Sequence, residues 1–405
     1  MLDKFKKLIP VILLALIPTI IVWIPFAFNL RSIWNIPLKQ NSMATVVSNY
    51  DGPLYIVVAK TMYNLDAISQ NYSLDLPNEY FAAHFPLFPL LIRAIALVTG
   101  LFSQLSSFAG YPYAMLVATI LTSVFALAYF NKFIRQYTSV DNALWLTLVF
   151  AILPARWLIV RSVGSPEPLF IGSVLASIFY FQNKKYWLAG IFGALAQLTK
   201  SPGILLFVAY FMTLFAQSFK QVSIGKGHKL EHLVNWRAYP VLLIPLSLLG
   251  LFVFYSYSFN DFFAYFNSGD NIHLLFPPFQ IFNYNAPWVG TFWLEEIIFI
   301  YLLGAMGVMK VVELYKKASS ADSEKNAIVM WFTGIFFITI LFVSHRDVMR
   351  YSLPMIPFMI AGWHKELVKN DFKIAFALVL IPTFLFAFGF ISQNTMSISN
   401  WAPFL

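Results

Sequence analysis

Apolar runs long enough to cross a bilayer recur along this chain of 405 residues. A spanning helix needs about 20 mostly apolar residues. Composition agrees, because 59% of the residues are hydrophobic and only 11% are charged, whereas soluble domains carry about 25% charged residues. These features exclude a disordered protein, a secreted disulfide scaffold and a typical cytosolic enzyme. They predict an all-α, polytopic membrane protein.

The first apolar run, residues 8–30, follows three lysines and has no convincing signal-peptide cleavage site. It is therefore predicted to be a retained anchor with a cytoplasmic N-terminus. Ten further spans are predicted, near residues 111–130, 144–160, 168–182, 187–198, 203–219, 239–257, 292–309, 328–343, 353–363 and 374–391.

Residues 86–105 form one more apolar run, and its placement decides the topology. If it lies at the membrane interface, two thirds of the Lys and Arg residues fall in cytoplasmic loops; if it spans, most face outside. The positive-inside rule favours the interface, which also suits Arg93. About eleven transmembrane helices then leave the C-terminus outside and a large first external loop, residues 31–110, that carries interfacial helices. We predict a catalytic transmembrane module over residues 1–220 and a C-terminal transmembrane module over 221–405.

Charge and cysteine content exclude several kinds of site. Basic cytoplasmic loops account for the net charge of +9, and no basic stretch is long enough to follow a phosphate backbone, so no nucleic-acid partner is expected. The chain has no cysteine, which excludes disulfides, thiolate metal sites and a cysteine nucleophile. No His/Asp cluster shows metal-ligand spacing, and no metal or other cofactor is predicted.

Ionisable residues gather at the predicted outer ends of the helices. An Asp beside Gly and Pro, as at Asp51, often forms a turn, and a single charge at a helix end is often a snorkelling side chain. Together, several carboxylates and five cations at one depth indicate a site. Cations beside an apolar cavity suit a lipid-linked phosphate, and a carboxylate suits a base that activates a hydroxyl. The five cations are Arg156, Arg161, Lys200, Arg346 and Arg350.

Several motifs, in order along the chain, resemble those of the PIG-V-type mannosyltransferases. Residues 50–56 resemble the family's Trp-Asp-Gly start, and residues 83–91 resemble its Phe-Pro-Leu loop sequence. Residues 164–167 resemble its Tyr-Ser-Glu element, and residues 198–203 resemble its Leu-Thr-Arg-x-x-Gly element. Residues 350–357 resemble its late Arg-Tyr-x-x-Pro-x-x-Pro pattern. The chain departs from the pattern where Tyr50 replaces Trp, Pro166 interrupts Tyr-Ser-Glu and Lys200 replaces Arg. Aminoarabinose and protein-mannosyl transferases share the Lys-type element, so the sugar stays open.

The resemblance implies a GT-C glycosyltransferase with a multi-span helical fold, whose first external loop carries the catalytic acid. It implies a polyprenyl-phosphate sugar as donor, used on the outer face of the plasma (inner) membrane, and a glycan, lipid or protein acceptor. We therefore expect an inverting glycosyltransferase, with mannose as one candidate sugar and Asp51 as catalytic base. The expected substrate-binding residues are Glu79, His84, Arg161, Glu167, Lys200, His345, Arg346, Asp347, Arg350 and Tyr351.

Two other functions are compatible with many membrane spans. A secondary transporter or lipid-linked-glycan flippase would also be polytopic, but such proteins tend to show repeats and midplane polar residues, which the sequence lacks. A membrane scaffold would explain the spans but not the one-sided cluster of charges. His84, beside Phe85, fits a packed interfacial residue as well as it fits a substrate-binding residue.

Overall fold

The computed structural model describes residues 8–101, 110–223, 236–283 and 293–405. Regular structure in these residues is almost entirely helical, and their one small sheet pairs Ser32–Ile33 with Ile36–Pro37 in antiparallel register. The predicted all-α, polytopic class is confirmed.

The first half of the chain contains eleven described α-helices. They are α1 (Ile9–Ala27), α2 (Met43–Val47), α3 (Gly52–Thr61), α4 (Leu65–Asn71), α5 (Leu87–Leu101), α6 (Tyr111–Ile134), α7 (Val140–Ile152), α8 (Ala155–Val160), α9 (Glu167–Gln182), α10 (Tyr186–Thr199) and α11 (Ile204–Ser223). Short 3-10 turns cover Asn78–Ala83 and Ser201–Gly203.

The second half continues the helical pattern over its described residues. Its α-helices are α12 (Leu243–Ser258), α13 (Trp293–Lys316), α14 (Ser320–Ile340), α15 (Val348–Ser352), α16 (Ile356–Gly362), α17 (His364–Leu367) and α18 (Asn370–Gln393). Further 3-10 turns cover Trp236–Leu242, Gly269–Asn271, Gln280–Phe282, Leu353–Met355 and Ala402–Phe404. Helix α12 packs against α10 and α14 against α11, so helices from the two predicted modules are in contact. The division into modules remains a prediction.

Every predicted span contains a helix, but many of these helices are short. Six stretches among the described residues are long and apolar enough to cross a bilayer: Ile9–Ala27, Tyr111–Ile134, Ser201–Ser218, Trp236–Ser258, Leu294–Lys316 and Asn370–Gln393. The segment at 144–160 is broken at Pro154 into α7 and α8, because proline cannot donate to the helix ladder. Such breaks are tolerated where neighbouring helices cover the backbone.

The first long loop and the C-terminal tail meet at one end of the helix bundle. The Met396 amide donates to the Ser48 carbonyl at 2.7 Å, and Asn49 Nδ2 donates to the Ile391 carbonyl at 2.7 Å. Lys60 Nζ donates to the Pro403 carbonyl, also at 2.7 Å. We call this end, formed by residues 31–86 and 394–405, the loop face.

Helix α5 begins at the loop face, and the next helix, α6, begins there too. Arg93 Nη1 donates to the carbonyls of Ala59 and Lys60 at 3.0 Å each, and Lys60 Nζ lies 5.2 Å from the ring centroid of Tyr111, where α6 begins. A single crossing by α5 would have left Tyr111 at the opposite end. This arrangement agrees with an interfacial segment; residues 102–105 of the prediction lie outside the described part of the chain.

Candidate functional site

Asp51 lies at the loop face, at the start of α3, and its carboxylate does not cap that helix. Gly52 permits the close approach of the chain here, because a Cβ would lie 2.7 Å from the Val47 carbonyl oxygen. The Asp51 side chain is 43% exposed, and its Oδ2 lies 3.8 Å from Nη1 of Arg350. The carboxylate is therefore open to a ligand, because it is not used to cap the helix that follows it.

Glu167, the first residue of α9, is buried and holds two cations. Pro168 occupies the first turn, where proline is well tolerated, and the helix dipole favours a carboxylate at this end. The Oε1 atom of Glu167 lies 2.7 Å from Nζ of Lys200 and 2.7 Å from Nε of Arg350. The Ser165 hydroxyl donates to the other oxygen, Oε2. Both carboxylate oxygens thus have hydrogen-bond partners.

Lys200 is placed by a sharp break between α10 and α11. The residue is extended, with φ of −153° and ψ of 145°, and the 3-10 turn Ser201–Gly203 follows it. Gly203 fits where other residues cannot, because a Cβ there would lie 2.5 Å from Cα of Gln197. This local sequence ends α10 so that the Lys200 ammonium reaches the Glu167 carboxylate.

Arg350, on α15, joins the two carboxylates. Its guanidinium contacts both Glu167 and Asp51, and its Cζ lies 4.2 Å from the ring centroid of Tyr50. We call Asp51, Glu167, Lys200 and Arg350 the charge cluster. An ammonium has three N–H donors and a guanidinium five, so both cations keep donors for a ligand while Glu167 orients them.

A second ion pair adjoins the charge cluster. Arg156 Nε lies 2.9 Å from Asp347 Oδ1, and the Tyr50 hydroxyl donates to Asp347 Oδ2 at 3.1 Å. Arg156 also donates to the Tyr50 hydroxyl at 3.3 Å. Tyr50 has a left-handed backbone with φ of 50°, a strained conformation that persists only where contacts hold it. Tyr50 and Arg156 were not among the expected binding residues, and Asp347 is engaged by both.

Three rings stand together near the charge cluster. The His273 and His345 ring centroids are 4.4 Å apart, and the Tyr351 centroid lies 5.7 Å from His273 and 5.3 Å from His345. His345 Nδ1 accepts a hydrogen bond from the Asp347 amide at 3.0 Å. His345 and Tyr351 were expected at the site, whereas His273 was not. A backbone bridge between Leu274 and Val343 brings it there.

Electrostatics assign different states to Glu167 and His345. Burial alone would raise the pKa of Glu167, but the charges and hydrogen bonds of Arg350 and Lys200 outweigh burial and hold this pKa far below its usual range. Glu167 is therefore ionised and a poor base. Burial, then the nearby His273 and Arg350, lower the pKa of His345 to about 3, so its ring is neutral near pH 7 and Nε2 carries the proton.

His84 lies beneath the loop face and is 3% exposed. Its ring packs edge-on against Tyr55, with centroids 4.9 Å apart, and its carbonyl accepts from the Tyr63 hydroxyl at 2.6 Å. Burial lowers the pKa of His84, and the charge of Asp51 opposes this shift. Glu79 lies on the 3-10 turn that precedes His84, is half-buried, and forms no ion pair with any described residue.

Two of the expected cations stand apart from the charge cluster. Arg161 is fully buried and donates to the carbonyls of Ala151 at 2.7 Å and Ala15 at 2.9 Å. It thereby joins α7 to α1. Arg346 is exposed, next to His345, and has no ion-pair partner among residues 8–101, 110–223, 236–283 and 293–405. The structure thus brings together Asp51, Glu167, Lys200 and Arg350, with Asp347, His345 and Tyr351 beside them.

No group of three or more His, Cys, Asp or Glu side chains with a metal-binding arrangement occurs in the described parts of the chain. The available groups around the charge cluster are carboxylates, an ammonium and guanidinium groups. This set is suited to binding an anion and accepting a proton.

Several solved structures share this fold. ArnT from Cupriavidus metallidurans, in a crystal structure bound to undecaprenyl phosphate, superposes with a TM-score of 0.50 at 12% identity, covering 94% of this chain and 74% of ArnT. The apo oligosaccharyltransferase of Archaeoglobus fulgidus superposes with a TM-score of 0.54 at 12% identity, covering 99% of this chain and 57% of the other. No protein-family model and no curated protein matches the sequence. The expected multi-span helical fold is confirmed by this likeness.

Proposed function

We propose that this chain is a membrane glycosyltransferase that moves a sugar from a polyprenyl-phosphate donor to an acceptor hydroxyl, with inversion at the anomeric carbon. One observation carries the proposal: a half-exposed carboxylate, Asp51, lies in the charge cluster with two cations that keep spare donors, Lys200 and Arg350, at one end of the helix bundle. The neighbour bound to undecaprenyl phosphate supports a lipid-linked donor.

Asp51 is the proposed base. The acceptor oxygen attacks the anomeric carbon, its proton passes to the Asp51 carboxylate, and the new C–O bond forms as the bond to phosphate breaks. The electron pair of the broken bond leaves with the phosphate oxygen, so polyprenyl phosphate departs as the anion. Glu167 is unsuited to the role of base because Lys200 and Arg350 already stabilise its charge.

Lys200 and Arg350 are the proposed phosphate-binding groups. The leaving group needs charge stabilisation more than protonation, and preorganised cations supply it without reorganisation at the moment of reaction. Glu167 acts as a positioning residue, since its Oε1 fixes both cations at 2.7 Å. Because Arg161 donates to backbone carbonyls instead, we omit it from this phosphate site.

The remaining expected residues surround this centre. His345, whose Nε2–H is available to donate, and Tyr351 are proposed to contact the sugar or acceptor, while Asp347 orients Tyr50 and Arg156. Glu79, His84 and Arg346 are retained as candidates for substrate orientation. No obligatory metal is proposed, since two cations can balance a monophosphate.

The candidate sugar comes from the sequence motifs, and the membrane side comes from the distribution of Lys and Arg along the sequence. Mannose, suggested by the PIG-V-type motifs, is the first donor to test, and aminoarabinose is the second. We propose that the loop face is the outer face of the plasma (inner) membrane and that the N-terminus is cytoplasmic, because this orientation satisfies the positive-inside rule.

The direct test is transfer of radiolabelled sugar from defined polyprenyl-phosphate donors to membrane acceptors, with and without the purified protein. Asp51→Asn keeps size and removes the base, so we expect transfer to fall by about 10²-fold or more while donor binding is retained. Asp66→Asn, an exposed acid in the same loop on α4, is the matched control and should transfer normally. Transfer by Asp51→Asn near the wild-type rate would falsify the assignment.

Donor binding is tested separately. Lys200→Gln removes a charge-assisted contact worth about 1.5–3 kcal/mol, so the donor Kd should rise by about tenfold or more. Arg31→Gln, an exposed cation of the same loop, should leave the Kd unchanged. An unchanged donor Kd in Lys200→Gln would place the phosphate elsewhere.

A further inference from the structure

A basic pocket opens at the end of α9 and α10 opposite the charge cluster. It has a volume of about 620 Å³, within the range of small-molecule sites. Its walls combine three cations with aromatic and aliphatic side chains. The lining residues are Lys184, Lys185, Tyr186, Trp187, Leu188 and Arg237.

The turn between α9 and α10 forms one wall. Lys184 adopts the left-handed conformation with φ of 58°, and the Lys185 amide donates to the Tyr180 carbonyl at 2.9 Å, which closes the end of α9 in the manner of a helix C-cap. Both lysines are exposed. Two adjacent ammonium groups are thus presented at one edge of the pocket.

Close packing of Trp236–Leu242 on α10 forms the other wall. Gly190 allows this approach, because a Cβ there would lie 2.1 Å from the Pro240 carbonyl oxygen. The contact holds the 3-10 turn beside the start of α10 and brings Arg237 to the two lysines. The rings of Trp187 and Tyr239 meet edge-on, with centroids 5.4 Å apart.

The three cations have no acidic partner in the described structure. None of Lys184, Lys185 and Arg237 forms an ion pair with a carboxylate there, whereas Lys310 on α13 pairs with Glu313 and Glu366. Exposed Trp and Tyr side chains are typical of the headgroup level of a bilayer. Basic pockets between membrane helices at this level suit anionic headgroups.

We infer that this pocket binds the phosphate of an anionic bilayer lipid, with the cations at the headgroup and Trp187 and Leu188 along the upper acyl chains. The site is distinct from the charge cluster. Glu167 begins α9 and Lys200 follows α10, while the pocket lies at the turn that joins their other ends, roughly 22 Å away along α9.

The test measures thermal unfolding of the full chain in neutral detergent with three probes at equal concentration. Short-chain phosphatidylglycerol should raise the Tm in a saturable manner, whereas short-chain phosphatidylcholine and inorganic phosphate should not. Native mass spectrometry should show retained phosphatidylglycerol at the same concentrations.

A triple variant, Lys184→Gln/Lys185→Gln/Arg237→Gln, removes the three cations. Each cation near a headgroup raises the affinity for an anionic lipid by about fivefold, so loss of all three should lower phosphatidylglycerol affinity by about 100-fold. If the triple variant does not fold, Arg237→Gln alone should lower affinity by about fivefold. Either loss, with the lipid-free Tm preserved, supports the site.

The matched control is Arg135→Gln/Lys365→Gln/Lys369→Gln, which removes the same charge from exposed cations outside the pocket. Its phosphatidylglycerol affinity should stay within about twofold of the wild type. Equal losses in the two triple variants, or no Tm shift in the wild type, would overturn the inference. A Tm shift with inorganic phosphate as large as that with phosphatidylglycerol would also overturn it and assign the pocket to free phosphate.

Discussion

Glu167→Gln is the substitution that separates most clearly an organised charge cluster from a chance grouping of helix-end charges. The side chain keeps its shape and loses its charge, so Lys200 and Arg350 remain largely buried without their carboxylate. Removing one partner of a buried ion pair costs about 3–5 kcal/mol. The Lys200 and Arg350 side chains are 24% and 13% exposed, so water screens them in part, and we expect about 3 kcal/mol.

The assay is reversible unfolding in mixed micelles of neutral detergent and dodecyl sulfate. Glu79→Gln, a half-buried glutamate without an ion pair to any described residue, is the control and should change the free energy of unfolding by less than about 0.5 kcal/mol. The double variant Glu167→Gln/Lys200→Gln should be less destabilised than the sum of its single variants by about 1 kcal/mol or more, because the two groups touch.

The pH dependence gives a second readout of the same pair. The pKa of Glu167 in the folded protein lies below its value of 4.5 in an unfolded chain, so its contribution is complete above pH 4.5. The unfolded state binds the proton first as the pH falls, and stability is lost below that value. Glu167→Gln should lack this acid-side loss. A Glu167→Gln variant as stable as wild type, with the same pH profile, would refute the reasoning.

Further predictions concern positions around the site. Arg161→Met should destabilise the protein by about 3 kcal/mol through lost bonds to backbone carbonyls, with donor Kd unchanged; a raised Kd would return Arg161 to the phosphate site. Gly203→Ala should lower stability by about 1–3 kcal/mol from overpacking against Gln197, measured by the same unfolding titration. His345, with its pKa lowered from 6.5 to about 3, stabilises the fold above pH 6.5 and progressively less as the pH falls toward 3, and His345→Gln should remove that slope. Because the chain has no cysteine, single cysteines at Asp66 and Lys132 can be labelled cleanly and should react from opposite sides of the membrane; labelling from one side would contradict the topology.

The sequence predicted the helices well, because helix formation by apolar runs depends on local composition. Apolar runs marked the spans, and the bias of Lys and Arg placed the helix containing Arg93 at the interface. Glu167, Lys200 and Arg350 were grouped by their common position at helix ends. The structure adds their mutual distances, which depend on how α9, α10 and α15 pack.

Long-range pairing explains what the sequence could not supply. Arg161 shares the depth of the other cations, but it follows the break at Pro154, and its side chain turns toward α1 and α7. His273 is held at the site by long-range backbone contacts, namely the bridge between Leu274 and Val343 and the hydrogen bond that the Ser344 amide donates to the His273 carbonyl at 2.9 Å. The pairing of Arg156 with Asp347 likewise joins residues far apart in the chain, and no local pattern encodes such a contact.

The contact between the first loop and the C-terminal tail has a consequence for biosynthesis. Asn49 pairs with Thr395, so the segment that carries Asp51 emerges from the ribosome long before its partner. At about 5–20 residues per second, roughly 20–70 s separate the synthesis of Asn49 from that of Thr395. During that interval the loop that follows α1 has been synthesised, but Asn49 has no partner yet. A nascent chain halted before Thr395 would therefore hold its membrane helices and still lack the contact that supports the segment of Asp51. Membrane insertion and completion of the proposed site are thus separate events in time.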